Sequence, residues 1–260
     1  MENSTRKVIE ELQRTVVRMI ATGPAGQGLS LIGGVRFRLL DKSPRMSMDV
    51  DYHWEGTLED KQREVVAFLK KRVLPEVRRK FGYEGTAAPA TGPAADSIFV
   101  KVIDQDFYKT NVPDSRIEIP LDITRIECLD KPIVRTQGGV VYLTVSDTDM
   151  IESKVLALIN RTYVEARDMV DVFLFENFLA PQSMERMREK LTRLSVSREN
   201  IAERVEAIAR TREVHLRNMR EIITSQLDAE TTSRLDEGGS AEAMWDRVIK
   251  ILQALVAASP

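Results

Sequence analysis

Two aspartates stand two residues apart in the stretch Arg45-Met46-Ser47-Met48-Asp49-Val50-Asp51. On an extended strand such residues project to the same side, with Val50 and Tyr52 on the other. Two neighbouring carboxylates repel each other, and a divalent cation between them relieves that repulsion. Magnesium, or manganese in its place, suits such a site: it is hard, takes oxygen ligands, and is held by one or two carboxylates together with substrate phosphates. A third carboxylate should come from a neighbouring strand. In Arg116–Arg125, Ile117, Ile119, Leu121 and Ile123 alternate with Glu118, Pro120, Asp122 and Thr124. Asp122 therefore lies on the polar side, with Glu118 as the fallback ligand. Asp49, Asp51 and Asp122 form the expected metal set. Three carboxylates can bracket two metal ions that clamp the attacking and leaving oxygens of a phosphoryl displacement. Asp122 is the residue expected to take the proton of an attacking hydroxyl.

Upstream, Gly33-Gly34 precedes a helix-like run, Val35–Leu40. Glycine lets the backbone approach a phosphate closely, and the free N–H groups of a helix start favour an anion. Downstream, Lys154 and Arg161 lie seven residues apart on one helix and so share a face. Lys154 is a candidate ligand for triphosphate oxygens. On the next helix Arg167 and Asp171 can pair, and Asp168 and Asp171 share a face.

These segments resemble the AbiEii/AbiGii toxin family, a branch of the DNA polymerase β-like nucleotidyltransferase superfamily. The likeness rests on an ordered set: the Gly33-Gly34 turn, then Arg45-x-Ser47-x-Asp49-x-Asp51, then Asp122 on a strand. It continues with Lys154-x-x-Ala157-x-x-x-Arg161 and Arg167-Asp168-x-x-Asp171, so that it spans about residues 29–175. The resemblance implies a magnesium-dependent nucleotidyltransferase with an NTP as donor and a hydroxyl acceptor, an RNA or tRNA 3′ end or a protein. It implies that Gly33, Gly34, Arg45, Ser47, Lys154 and Arg161 bind the nucleotide. It also implies that Asp171 joins Asp49, Asp51, Asp122 and Lys154 in the active site, and that a cognate antitoxin is a partner. One departure is Val35, which follows Gly34 where family members carry a hydroxyl. That feature favours the alternative reading, a non-catalytic nucleotide-sensing or protein-interaction module on the same scaffold.

The elements that must position these residues change character near Asp147. Before it, short apolar runs alternate with Gly, Pro and Asp; after it the chain reads as helix. Residues 5–21 form an amphipathic helix, and Leu29–Ile32, Met48–Trp54, Ser97–Ile103, Arg116–Arg125 and Val140–Val145 read as strands. Leu58–Lys80 reads as a helix bent or split by Pro75, and Gly82–Ala95, rich in Gly, Ala and Pro, as a loop. Pro120 suggests that its strand lies at an edge or carries a bulge. Six helices should cover 147–162, 164–179, 182–194, 197–210, 211–227 and 241–257, with a linker at 236–240. The fold class is α+β: a small mixed nucleotidyltransferase-type sheet flanked by helices (1–146), followed by a helical domain (147–260) whose first part, 147–179, is expected to complete the site.

The bulk properties set limits. The formal charge of −2 gives no global basic field. The stretch 181–220, however, holds ten Arg or Lys against six Glu and is the candidate RNA surface. One cysteine, Cys128, rules out an intramolecular disulfide and fits a reducing cytoplasm. No apolar run approaches the roughly 20 residues of a membrane span, so the expectation is a cytoplasmic protein without membrane contact.

Overall fold

The computed structural model describes residues 3–90, 97–104, 116–236 and 240–258. The chain divides into two compact units. The first comprises Met1–Lys42, Met46–Arg125 and Pro132–Thr144. The second comprises Ser43–Arg45, Ile126–Lys131 and Val145–Pro260.

The first unit is built on a seven-stranded mixed sheet in the order β3-β4-β5-β2-β1-β7-β6. The strands are β1 (Ser30–Ile32), β2 (Val50–His53), β3 (Tyr83–Pro89), β4 (Ser97–Asp104), β5 (Arg116–Thr124), β6 (Ile133–Gln137) and β7 (Val140–Thr144). The β2–β5 and β1–β7 pairs are parallel, and the other neighbours are antiparallel. The helices are α1 (Asn3–Thr22), α2 (Gly33–Leu40), α3 (Leu58–Phe68) and α4 (Leu74–Phe81). Amphipathic α1 buries Ile9, Leu12, Val16, Val17 and Ile20, at the spacing expected of one helical face. They share one core with Val50 and Tyr52 of β2 and with Ile117, Ile119, Leu121 and Ile123 of β5. Alternation then sends Asp51 and Asp122 to the opposite side of the sheet.

The structure corrects several expectations. Gly82–Ala95 is not a loop where it is described: Tyr83–Pro89 pairs with β4 over seven residues as an edge strand, and 91–95 lie outside the described residues. Ladder bonds and the burial of Ala87 override the weak strand propensity of this stretch. Pro120 sits in an inner strand rather than at an edge. The β2 ladder, however, begins only at Leu121, so β5 has a single ladder neighbour at the proline. The missing N–H is thereby tolerated. The helix 58–80 is divided before Pro75 by a wide turn, Leu69–Val73, in which Leu74 N–H bonds to Leu69 carbonyl. Proline cannot donate the regular bond of the next turn, and the backbone widens to compensate. Strand β6 was not expected. It forms a hairpin with β7 through Gly138 (φ 57°) and Gly139 (φ 75°), the positive-φ pair that a two-residue turn requires.

The second unit is helical: α5 (Asp147–Asn160), α6 (Ala166–Leu174), α7 (Ser183–Arg193), α8 (Arg198–Arg210), α9 (Arg212–Gln226), α10 (Ala229–Asp236) and α11 (Ser240–Ala258). Ser146 caps α5 by accepting from Asp149 N–H at 3.0 Å, and Ser197 caps α8 by accepting from Asn200 N–H at 3.2 Å. Helix α11 packs on α6, α7, α8 and α9 and buries Met244, Trp245, Val248, Leu252 and Leu255. Helix α10 was not expected, and residues 237–239 of the anticipated linker lie outside the described residues. Among the described residues no helix is long and apolar enough to cross a membrane.

Candidate active site

The site is a row of polar residues running across the strands. Asp51 on β2 is the Cα partner of Asp122 on β5, and Asp122 is in turn the partner of Ser97 on β4. On the other side Asp51 pairs with Ile32, the last residue of β1. Asp49 does not belong to β2; it lies one residue ahead of Val50, where the strand starts. The loop nevertheless brings it to the row: carboxylate oxygens of Asp49, Asp51 and Asp122 all lie within 4.8 Å of one another. Each of the three is half-buried.

A different device holds each carboxylate. Ser47 Oγ donates to Asp49 Oδ1 at 2.7 Å, and the Ser47 carbonyl accepts from Gln13 Nε2 at 2.9 Å, so the loop is tied to α1. Asp51 lies against Gly33. A Cβ on that glycine would come within 1.8 Å of Asp51 Oδ2, and Gly33 adopts φ +74°. Only glycine satisfies both conditions. The carboxylate also lies at the start of α2, where the helix dipole favours negative charge. Asp122 Oδ1 accepts a hydrogen bond from Ser97 Oγ.

The glycine turn is itself pinned. No side chain caps α2, whose N-cap is Ile32. Arg36, on the first turn, is fully buried and donates to Asp41 and to Thr144 Oγ1 at 3.3 Å. The Thr144 hydroxyl donates to Leu31 carbonyl at 2.7 Å. Val35, which follows the turn, is buried in the core. A phosphate gripped here would therefore meet backbone N–H groups rather than a hydroxyl.

Motif residues of the second unit form an ionic cluster around two buried aspartates, Asp168 and Asp171. Lys154 Nζ donates to Asp168 Oδ1 at 2.7 Å and lies 3.3 Å from Asp171 Oδ2. Arg161 reaches the other oxygen of Asp168 at 2.6 Å, so the two cations that share a face of α5 and the turn after it share one carboxylate. Arg45 clasps Asp171 in a two-pronged contact, Nε to Oδ1 at 2.7 Å and Nη2 to Oδ2 at 2.8 Å. Burial alone would raise the Asp168 pKa; the Lys154 and Arg161 charges outweigh it and hold the carboxyl below the usual aspartate value. For Lys154, burial favours the neutral amine, but Asp168 and Asp171 outweigh it and push its pKa up. Lys154 is thus a firmly protonated cation in a fixed position.

The basic stretch 181–220 is largely engaged inside its own unit. Lys190 is fully buried against Asp149 at 2.6 Å and Glu152 at 2.7 Å. Arg186 pairs with Asp130, Asp149 and Glu152, each at 2.9 Å. Arg204 donates to the carbonyls of Leu158, Arg161 and Thr162. Three of the ten cations of the anticipated RNA surface therefore stabilise the fold, which charge counting alone does not reveal.

Sequence reasoning missed Ser97, Arg36 and the Asp149–Lys190 cluster. Ser97 had a signal: it opens a strand antiparallel to the one carrying Asp122. Arg36 has one near partner, Asp41, but its other partner Thr144 and the partners of Lys190 lie too far along the chain for any local pattern to find them.

Comparison with known proteins bears on the fold and the family. The fold is similar to that of JHP933 from Helicobacter pylori, with 15% identity, a TM-score of 0.50 and 99% of each chain covered. It is also similar to MenT4, a nucleotidyltransferase toxin from Mycobacterium tuberculosis H37Rv, with 12% identity, a TM-score of 0.54, and 98% of this chain and 94% of that chain covered. At such identities these likenesses speak to fold. No curated protein sequence matches the chain. The family model described as nucleotidyl transferase AbiEii toxin, type IV TA system, matches residues 14–249. With its glycine turn, carboxylate row and ordered basic and acidic motifs in place, the chain belongs to the AbiEii family of nucleotidyltransferase toxins.

Proposed function

We propose that this nucleotidyltransferase moves a nucleoside monophosphate from an NTP to a hydroxyl acceptor, releasing pyrophosphate, and that Asp49, Asp51 and Asp122 hold the divalent cations the reaction needs. The observation supporting this is the convergence of three carboxylates within 4.8 Å beside a glycine turn into a helix. The donor set fits magnesium or manganese: all ligands are carboxylate oxygens, half-buried, and Gly33 leaves room that any side chain would fill. Bound there, such a cation neutralises triphosphate oxygens and supports the departing pyrophosphate.

The chain's own groups carry the remaining roles. Backbone N–H groups at Gly33 and Gly34 receive phosphate oxygens. A carboxylate oxygen of Asp122 accepts the proton of the attacking hydroxyl. Within the second unit, Lys154 and Arg161 are the candidate nucleotide-binding cations; Asp168 holds both, Asp171 lies beside Lys154, and Arg45 clasps Asp171. Ser47 holds Asp49. The acceptor we favour is RNA, a tRNA 3′ end included. The cell compartment we favour is the cytoplasm, with a cognate antitoxin as regulator, in keeping with the toxin family.

The test is incubation of the protein with each α-labelled NTP, magnesium and total cell RNA, with protein acceptors scored in the same gel. Label in an RNA band supports the reading, and label in protein moves the acceptor to another class. If no NTP yields transfer, the proposed reaction is wrong.

A further inference from the structure

We infer that Ser97 is a positioning residue for the metal-binding carboxylates, acting through Asp122; the inference rests on the metal role proposed for that row. Ser97 opens β4 as the Cα partner of Asp122, and its hydroxyl donates to Asp122 Oδ1. Its backbone is held on both sides. On one side it pairs with β5; on the other its carbonyl accepts from Ala90 N–H at 2.7 Å. The hydroxyl is therefore presented from a fixed point, and the hydrogen bond fixes the rotation of the Asp122 carboxylate.

That rotation matters more for Asp122 than for its neighbours. Asp51 is confined by the backbone at Gly33, and Asp49 is held by Ser47 from a loop tied to α1. Asp122 is the strand residue farthest from the glycine turn, and Ser97 lies just beyond it in the same row. A hydrogen bond to a ligating carboxylate orients it and raises metal affinity, and losing such a partner costs about 10–100-fold in affinity or activity. The row is thus one unit of four strands, Gly33 limiting one end and Ser97 the other.

The experiment compares the full chain with Ser97→Ala and Ser97→Thr, reading labelled-NTP turnover against magnesium concentration, manganese binding by calorimetry, and Tm. For Ser97→Ala the magnesium concentration giving half-maximal turnover should rise about 10-fold, with manganese affinity falling in parallel and Tm little changed. Ser97→Thr, which keeps the hydroxyl, should return both metal readouts towards wild type. A merely structural serine would shift Tm and leave the magnesium requirement alone, which overturns the inference. So does a threonine variant as impaired as the alanine one. If the wild-type chain needs no divalent cation, the metal reading of the row falls and this inference with it. A wild-type requirement that Ser97→Ala leaves unchanged removes this inference alone.

Discussion

Gly33 and Asp51 occupy mutually dependent positions: a single methyl on the glycine would overlap the aspartate carboxylate at 1.8 Å from Oδ2. The turn and the acid are therefore one feature. The glycine proposed to let a phosphate approach also vacates the space for Asp51, the carboxylate proposed as the central metal ligand.

Gly33→Ala should accordingly act twice. The left-handed φ of +74° and the overlap together should cost about 1–3 kcal/mol in urea unfolding. Displacement of Asp51 should lower NTP turnover by at least about 100-fold, the scale of losing one positioned electrostatic group. Gly138→Ala provides the contrast. It shares a positive φ of 57°, but nothing lies within 4 Å of the added carbon. It should lose about 1 kcal/mol of stability and keep its turnover.

Neutralising the carboxylates should separate activity from stability. Asp51→Asn and Asp122→Asn should abolish transfer while leaving the fold intact. In metal-free buffer of low ionic strength each should match wild-type stability or exceed it by about 0.5–1 kcal/mol, because a like-charge neighbour is removed. Paired urea titrations with and without magnesium check this: magnesium should stabilise the wild-type chain and not the variants.

Arg45→Met should be severe for a different reason. Arg45 and Asp171 are both buried, and the substitution strips Asp171 of its two-pronged partner. Breaking a buried pair in this way costs about 3–5 kcal/mol. Arg45→Lys should recover only part of this, since an ammonium cannot reproduce the fork. Chemical denaturation of the three proteins measures the difference.

The Asp168–Lys154 cluster sets a pH window. The Asp168 pKa is lowered on folding, so its contribution is present above the ordinary aspartate value of 3.8 and is lost as pH falls through the lower folded value. The Lys154 pKa is raised, so its contribution is present below 10.5 and is lost as pH rises beyond it through the higher folded value. Asp149 behaves like Asp168: burial opposes its ionisation, but Lys190 and the N–H groups of Leu129 and Asp130 outweigh it and keep its pKa low. Stability should hold level from about pH 7 to 9. Below that it should fall, first because burial lowers the pKa of His53 and His215 from the ordinary 6.5, so that the unfolded chain takes up those protons first, and then through the aspartates. Asp168→Asn should be less stable at neutral pH but flatter below pH 4, as thermal melts across pH will show.

Much of this was legible in the chain because it is local. The apolar spacing of α1, the alternation that turns Asp122 away from the core, the Gly33-Gly34 turn and the helical second half all follow from periods of two or 3.6 residues. The motif order 33–51–122–154–171 also survives in linear sequence. What was not legible depends on partners far along the chain. Strand β3 exists because β4 pairs with it, not because Tyr83–Pro89 favours extension. The Arg45–Asp171 clasp joins residues 126 apart. Lys190 looks like one of ten surface cations until Asp149 and Glu152 are seen to enclose it. The Gly138-Gly139 hairpin was the avoidable miss, since two glycines between Gln137 and Val140 are a turn signal in their own right.

The central claim is that Asp49, Asp51 and Asp122 share divalent cations beside a triphosphate. Crystals soaked with manganese and a non-hydrolysable NTP, read by anomalous diffraction at the manganese edge, test this most directly. The expected result is a peak about 2.1 Å from carboxylate oxygens of these residues, with triphosphate oxygens completing the coordination. A manganese peak elsewhere, or a bound nucleotide with no metal at the three aspartates, would contradict it.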